Sequence, residues 1–305
     1  MSTAAAAHAT LATEHPVDPV ATLSILCRGG LDPCARRDGE ALWWATRTPR
    51  GPATLRVRRA GRSTVEAEAW GEGGGWLLDR LPVLVGADRP PLDHLGHPAM
   101  RAAAARMPGL RVPSTGALVE ALLPAVVEQR VAGKEARRSW AALVRRLAEP
   151  APGPAGLLLP PDPARLAALP DWDLHRLNLE RRRADTLRCV ARRAAAVERL
   201  GAAGIPAAEV RDRLVAELPG VGAWTVAEAT VRALGDEDAV SVGDYNLFQQ
   251  VGYALTGRAG RDDAEMLTLL EPWRGRRGLA VQLLVATVRM PRRAPRMALR
   301  DFRRL

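Results

Sequence analysis

The five residues Leu218–Gly222, "LPGVG", constrain this chain more than any other stretch. Before them, "AAEVRDRLVAEL" repeats apolar residues at helical spacing, and after them "AWTVAEATVRAL" does the same. A proline and two glycines in between make a tight turn, so the two helices must fold back on each other, and a side chain at Gly220 or Gly222 should obstruct the turn. Such a turn presents successive backbone N–H groups at the positive end of the second helix, where an anion docks without any side-chain charge. An ordinary connection between helices reads the same way, so the surroundings must discriminate.

The second helix has to end near Gly235, "DEDAVSV" returns the chain, and a new helix opens at Asp244 in "VGDYN". An aspartate there suits an N-cap, and the hairpin before it suits an anion. Charge points the same way. The net charge of +10 and a pI near 10.9 favour a polyanionic partner, nucleic acid first. Lys134 is the only lysine, so nearly all 44 basic residues are arginine. Cys27, Cys34 and Cys189 form no CxxC pair and no cluster, which argues against zinc and iron–sulfur sites. No basic segment precedes an apolar run at the start and no 18 apolar residues occur together, so we expect a cytoplasmic protein without a membrane partner.

At 305 residues the chain is long enough for two or three domains. Residues 1–16 read as a disordered small-residue tail. The runs "ATLSILCR", "EALWWATRT", "ATLRVRRA" and "STVEAEAW", separated by Gly, Pro and Asp, read as antiparallel strands of a β-rich domain over 17–112, with a helix near "GWLLDRLPVLVG". From residue 113 to 290 the period is helical: Leu118, Leu122, Val126 and Val127 form one stripe, and Trp140, Leu143 and Leu147 another. "EPAPGPAGLLLPPDP" is a loop, and residues 291–305 form a basic tail.

Three motifs then act together. "PGVGAWTVAEATV", "VGDYNLFQQ" and "EPWRGRRG", with "PGLRVPSTGALVEALLPAVVEQRV" upstream, resemble the helix–hairpin–helix (HhH-GPD) DNA glycosylases, in the branch of 3-methyladenine DNA glycosylase II. The resemblance implies an α+β fold: a mostly α-helical core of two helical subdomains with the hairpin at about 208–234, and an antiparallel β-rich domain in front. It implies an enzyme that flips a damaged base of double-stranded DNA and hydrolyses its N-glycosidic bond, working as a monomer. Asp244 matches the catalytic aspartate, Trp224, Glu228 and Tyr245 match base-pocket positions, and Gly220, Val221, Gly222, Thr225, Gln129 and Arg130 match DNA-contacting positions. Arg130 follows Gln129 where the branch carries an apolar wedge.

Trp224 stands where strand-nicking relatives carry a lysine, which implies a monofunctional enzyme that leaves an abasic site. No metal site and no iron–sulfur cluster are implied; at most a monovalent or divalent cation would sit at the hairpin when DNA is bound. Two departures concern the substrate: Glu228 replaces a pocket aromatic, and "GRRGLAVQLL" has no aromatic where the branch has a tryptophan. Glu228, one turn from Trp224, is expected either to border the pocket as a free acceptor or to lie on a solvated face. A non-catalytic DNA-binding protein on the same fold is the alternative reading, and it has no use for Asp244.

Overall fold

The computed structural model describes residues 6–291 and residue 301, and shows an α+β chain in which a sheet leads and helices follow. Strands β1 (Ala7–Ala12), β2 (Ala35–Asp38), β3 (Ala41–Thr48), β4 (Gly51–Gly61) and β5 (Thr64–Trp70) pair antiparallel in the order β1-β5-β4-β3-β2. Alternation along the strands puts Ala53, Leu55 and Val57 of β4 with Val65, Ala67 and Ala69 of β5 on one face. That face packs on the short helices α1 (Pro19–Leu23), α2 (Gly74–Asp79) and α3 (Leu81–Leu84). On the other face Trp43 stacks on Trp70, and Ala155, Leu157 and Leu159 of the Pro/Gly segment cover the pair.

Three boundaries differ from expectation. The tail expected over residues 1–16 is ordered from Ala7, because β1 pairs in register with β5 from Ala7↔Ala69 to Ala12↔Thr64. Ladder bonds satisfy the backbone of a small-residue segment that could never bury much side chain. The run "ATLSILCR" is helical, not a strand: the Asp18 carboxylate accepts from Ala21 N at 2.8 Å and Pro19 occupies the first turn, both helix-start signals. The β-rich unit ends near residue 87 rather than 112, since Leu92, Met100, Ala103, Leu110 and Val112 pack into a helical core.

The helices after α3 are α4 (Pro98–Arg106), α5 (Leu118–Glu128), α6 (Gly133–Leu147), α7 (Pro163–Ala167), α8 (Asp171–Arg176), α9 (Arg181–Arg192), α10 (Ala194–Gly201), α11 (Ala207–Glu217), α12 (Ala223–Ala233), α13 (Leu247–Thr256), α14 (Asp263–Leu270) and α15 (Arg277–Thr287). They build two cores. Leu122 and Val126 of α5, Trp140 and Leu143 of α6, and Leu187 and Val190 of α9 anchor the first. Met100 of α4, Val251 of α13, Met266 of α14 and Leu283 of α15 anchor the second. Trp273 of the "PWR" motif is buried there and donates its indole N–H to His94 O at 2.8 Å, while Arg276 donates to the carbonyls of Pro90 and Pro91. These bonds hold the 90–95 crossover against the second core.

No helix among the described residues is long and apolar enough to cross a membrane. The basic tail, apart from residues 291 and 301, lies outside the described residues.

Candidate active site

The hairpin forms as expected, between α11 and α12, and its two glycines do different work. Gly220 sits at φ +84°, and a Cβ there would come within 2.1 Å of Thr186 Oγ1, so only glycine fits. Gly222 has an ordinary extended backbone, and a Cβ on it would meet nothing within 4 Å, so the expected obstruction is absent at this position. Val221 is buried in the first core and its N–H already donates to Leu218 O at 3.0 Å. Thr225 is 2% exposed. Gln129 Nε2 donates to Thr225 Oγ1 at 2.8 Å and to Gly220 O at 3.0 Å. Of the positions expected to touch DNA, Val221 and Thr225 are thus buried and Gln129 is half-buried and bonded to the hairpin, because a turn this tight keeps its shape only if its side chains are packed and bonded.

Gly222 and Ala223, at the mouth of the turn, are exposed. The first intrahelical bond of α12 runs from Val226 N to Gly222 O, leaving the N–H groups of Ala223, Trp224 and Thr225 beyond the ladder. Its N-cap, Gly222, supplies no side-chain bond, and the first turn holds no acid. That is an open, positive helix end. Beside it, Arg130 is exposed in the loop that Gln129 ties to the hairpin, at φ +55°, a conformation a side chain rarely adopts.

Helix α12 has three stripes. Val226, Ala229 and Ala233 enter the first core, and Ala227 and Val231 the second. Trp224, Glu228 and Arg232, each four residues apart, share the remaining face. Trp224 Nε1 donates to Asp244 Oδ2 at 3.2 Å. Asp244 Oδ1 accepts the N–H groups of Asn246 at 2.7 Å and Leu247 at 2.9 Å, so it braces the turn into α13, whose N-cap is Asn246 and which begins at Leu247 rather than at the aspartate itself. Tyr245, next in the chain, is 65% exposed.

Glu228 is neither solvated nor a free acceptor. Its Oε2 pairs with Arg232 Nη1 at 2.8 Å and its Oε1 accepts from Ser241 Oγ. Burial pushes its carboxyl up, but Arg232, the Ser241 hydroxyl and nearby Arg28 outweigh it and hold the group below the usual carboxylate range. Arg232 Nε continues to Ile25 O at 2.9 Å, and Arg28 grips both oxygens of Glu128. One helix stripe therefore meets Asp244, then Ser241, then the β-rich unit.

Sequence reasoning missed Ser241, Arg232, Arg28 and Asp263, whose Oδ2 accepts from Gly243 N at 2.9 Å. Only Arg232 carried a local signal, its i,i+4 spacing from Glu228. A groove of about 260 Å³ opens on the other side of α12, between Val226, Ala227, Val240 and Leu267, and Asp244 is not part of it. Chemically, the site offers a fixed, half-buried carboxylate next to an indole, an exposed phenol ring and a helix end ready for an anion. Such a carboxylate can stabilise a developing cation and orient a water.

No family model matches the chain. A curated relative from Mycobacterium tuberculosis, described as a probable bifunctional transcriptional activator/DNA repair enzyme AlkA, is 30% identical over 198 residues, or 64% of this chain and 38% of the relative. The chain thus spans about two fifths of the length of the curated relative it matches. The 3-methyladenine DNA-glycosylase from Archaeoglobus fulgidus superposes with a TM-score of 0.76 at 17% identity, over 91% of this chain and 97% of that one. The apo 8-oxoguanine glycosylase/lyase of Clostridium acetobutylicum superposes with a TM-score of 0.69 at 12% identity, over 92% and 96%. The fold is that of the helix–hairpin–helix DNA glycosylases over nearly all of the chain, as the motif resemblance implied.

Proposed function

We propose that this chain is a monofunctional DNA glycosylase of base-excision repair, which flips an alkylated or deaminated purine out of double-stranded DNA and hydrolyses its N-glycosidic bond. The observation that carries the reading is Asp244, held by the Trp224 indole at the start of α13, one hairpin away from an uncapped helix end. Breaking C1′–N leaves an oxocarbenium-like sugar; the Asp244 carboxylate stabilises that cation and orients the attacking water. The free N–H groups of α12 hold a phosphate nearby, and Arg130 fills the gap the base leaves by stacking its guanidinium plane. Trp224 and Tyr245 offer ring faces to the flipped base.

The fold is shared with a glycosylase/lyase, so the absence of strand cleavage rests on this chain's residues. Elimination needs an amine at the sugar, and Trp224 occupies the position the resemblance assigns to it, while Lys134 sits at the start of α6. Release of free base from oligonucleotides carrying alkylated, deaminated and oxidised purines tests the reading. Asp244→Asn should abolish release and leave binding to damaged duplex within a few-fold, because it removes transition-state stabilisation and not the phosphate contacts. Equal excision by variant and parent would remove Asp244 from the mechanism.

A further inference from the structure

The turn that carries Asp244 is held from two helices at once. On one side Ser241 Oγ donates to Glu228 Oε1 of α12, and on the other Gly243 N donates to Asp263 Oδ2 of α14 at 2.9 Å. Between them Asp244 N donates to Ser241 O at 3.2 Å. Gly243 lies at φ +90°, where the backbone is free to move because no side chain restricts it, so contacts must impose the shape of the turn. Glu228 is itself immobilised by Arg232, which is anchored to Ile25 O. The second oxygen of Asp263 is buried without a hydrogen-bond partner, which costs stability and leaves the Gly243 N–H as the bond that Asp263 makes to this turn.

Resting on the reading of Asp244 given above, we propose that Glu228 and Asp263 are positioning residues: a carboxylate clamp that grips the Ser241–Asp244 turn at both ends and fixes the Asp244 carboxylate against the flipped sugar. Glu228 then sets the rate for every base and does not choose among them. The clamp reaches Asp244 only through the turn, so its loss should act on the chemical step and not on DNA binding. Misplacing a reacting group by about 1 Å costs on the order of 100-fold, and loosening one end of the turn should cost about 10-fold.

Single-turnover base release over the substrate panel, with duplex affinity measured alongside, tests this. Ser241→Ala and Asp263→Ala should each slow release about 10-fold, by the same factor for every base that the parent releases, with affinity for damaged duplex within twofold. Asp263→Asn should restore most of the rate, since its amide oxygen can still accept the Gly243 N–H. Unchanged rates in both alanine variants would overturn the clamp. So would a redistribution among bases in Ser241→Ala, which would put the Glu228–Ser241 pair in contact with the base, or an Asp263→Asn variant as slow as Asp263→Ala. A parent that releases no base at all would sink the glycosylase reading separately; amide hydrogen exchange then decides the clamp, with loss of Gly243 protection in Asp263→Ala supporting it and unchanged protection refuting it.

Discussion

Replacing Gly222 with aspartate should separate the stability of the hairpin from its use. Gly222 is the N-cap of α12, its backbone is extended, and a Cβ there has open space, so the new side chain enters without strain. An aspartate at an N-cap can accept the Thr225 N–H, worth a few tenths of a kcal/mol over glycine, and its charge favours the helix end by about 0.3–1 kcal/mol. Gly222→Asp should therefore unfold at a slightly higher temperature than the parent. The same carboxylate occupies the place proposed for a DNA phosphate. Losing a charge-assisted bond to the helix end costs about 1.5–3 kcal/mol, which is roughly 10- to 150-fold in affinity. Fluorescence anisotropy at one fixed salt concentration, with damaged and undamaged duplexes, should show both weakened by the same factor, because a phosphate contact carries no sequence information. A stabilised variant with parental DNA affinity would refute the phosphate reading. Weakening confined to damaged DNA would move the hairpin into the base pocket. Gly220→Ala is the control of opposite sign: with φ at +84° and Thr186 Oγ1 in the way, it should lose stability first.

Product DNA should keep an intact backbone until alkali or heat is applied, and borohydride should trap no covalent complex; a trapped species that vanishes in Lys134→Ala would overturn the monofunctional proposal. Arg130→Gly should gain about 1 kcal/mol of stability by relieving the residue at φ +55°, yet slow base release; parental release rates would show that Arg130 is no plug. Glu120, buried between Thr46 Oγ1 and Arg47 N, has its carboxyl pushed up to about 8, mainly by burial. A raised carboxyl stabilises the fold fully below its unfolded value, near 4.3, and loses that contribution as pH climbs through 8, at up to about 1.4 kcal/mol per pH unit. Glu120→Gln should flatten the decline between pH 5 and 8 in urea midpoints; an equally steep decline in the variant would refute the assignment.

Much of the site was legible in the chain because its signals are local. Proline and two glycines between helical periods dictate the hairpin, the four-residue spacing of Trp224, Glu228 and Arg232 puts them on one face, and an aspartate just ahead of a helical run reads as a cap. The order of strands before helices follows from the same short-range patterns, and they misled where a competing local cue went unweighed, as with Asp18 and Pro19 ahead of "ATLSILCR". Partnerships between distant residues have no such signature. That Glu228 is tied to Ser241, that Asp263 holds Gly243, that Gln129 bonds to Thr225, and that Ala7–Ala12 find the edge of β5 depend on which surfaces meet once the helices and sheet have packed. Periodicity says which face of a helix is apolar, while hydrogen-bond partners on different elements are chosen by tertiary packing alone.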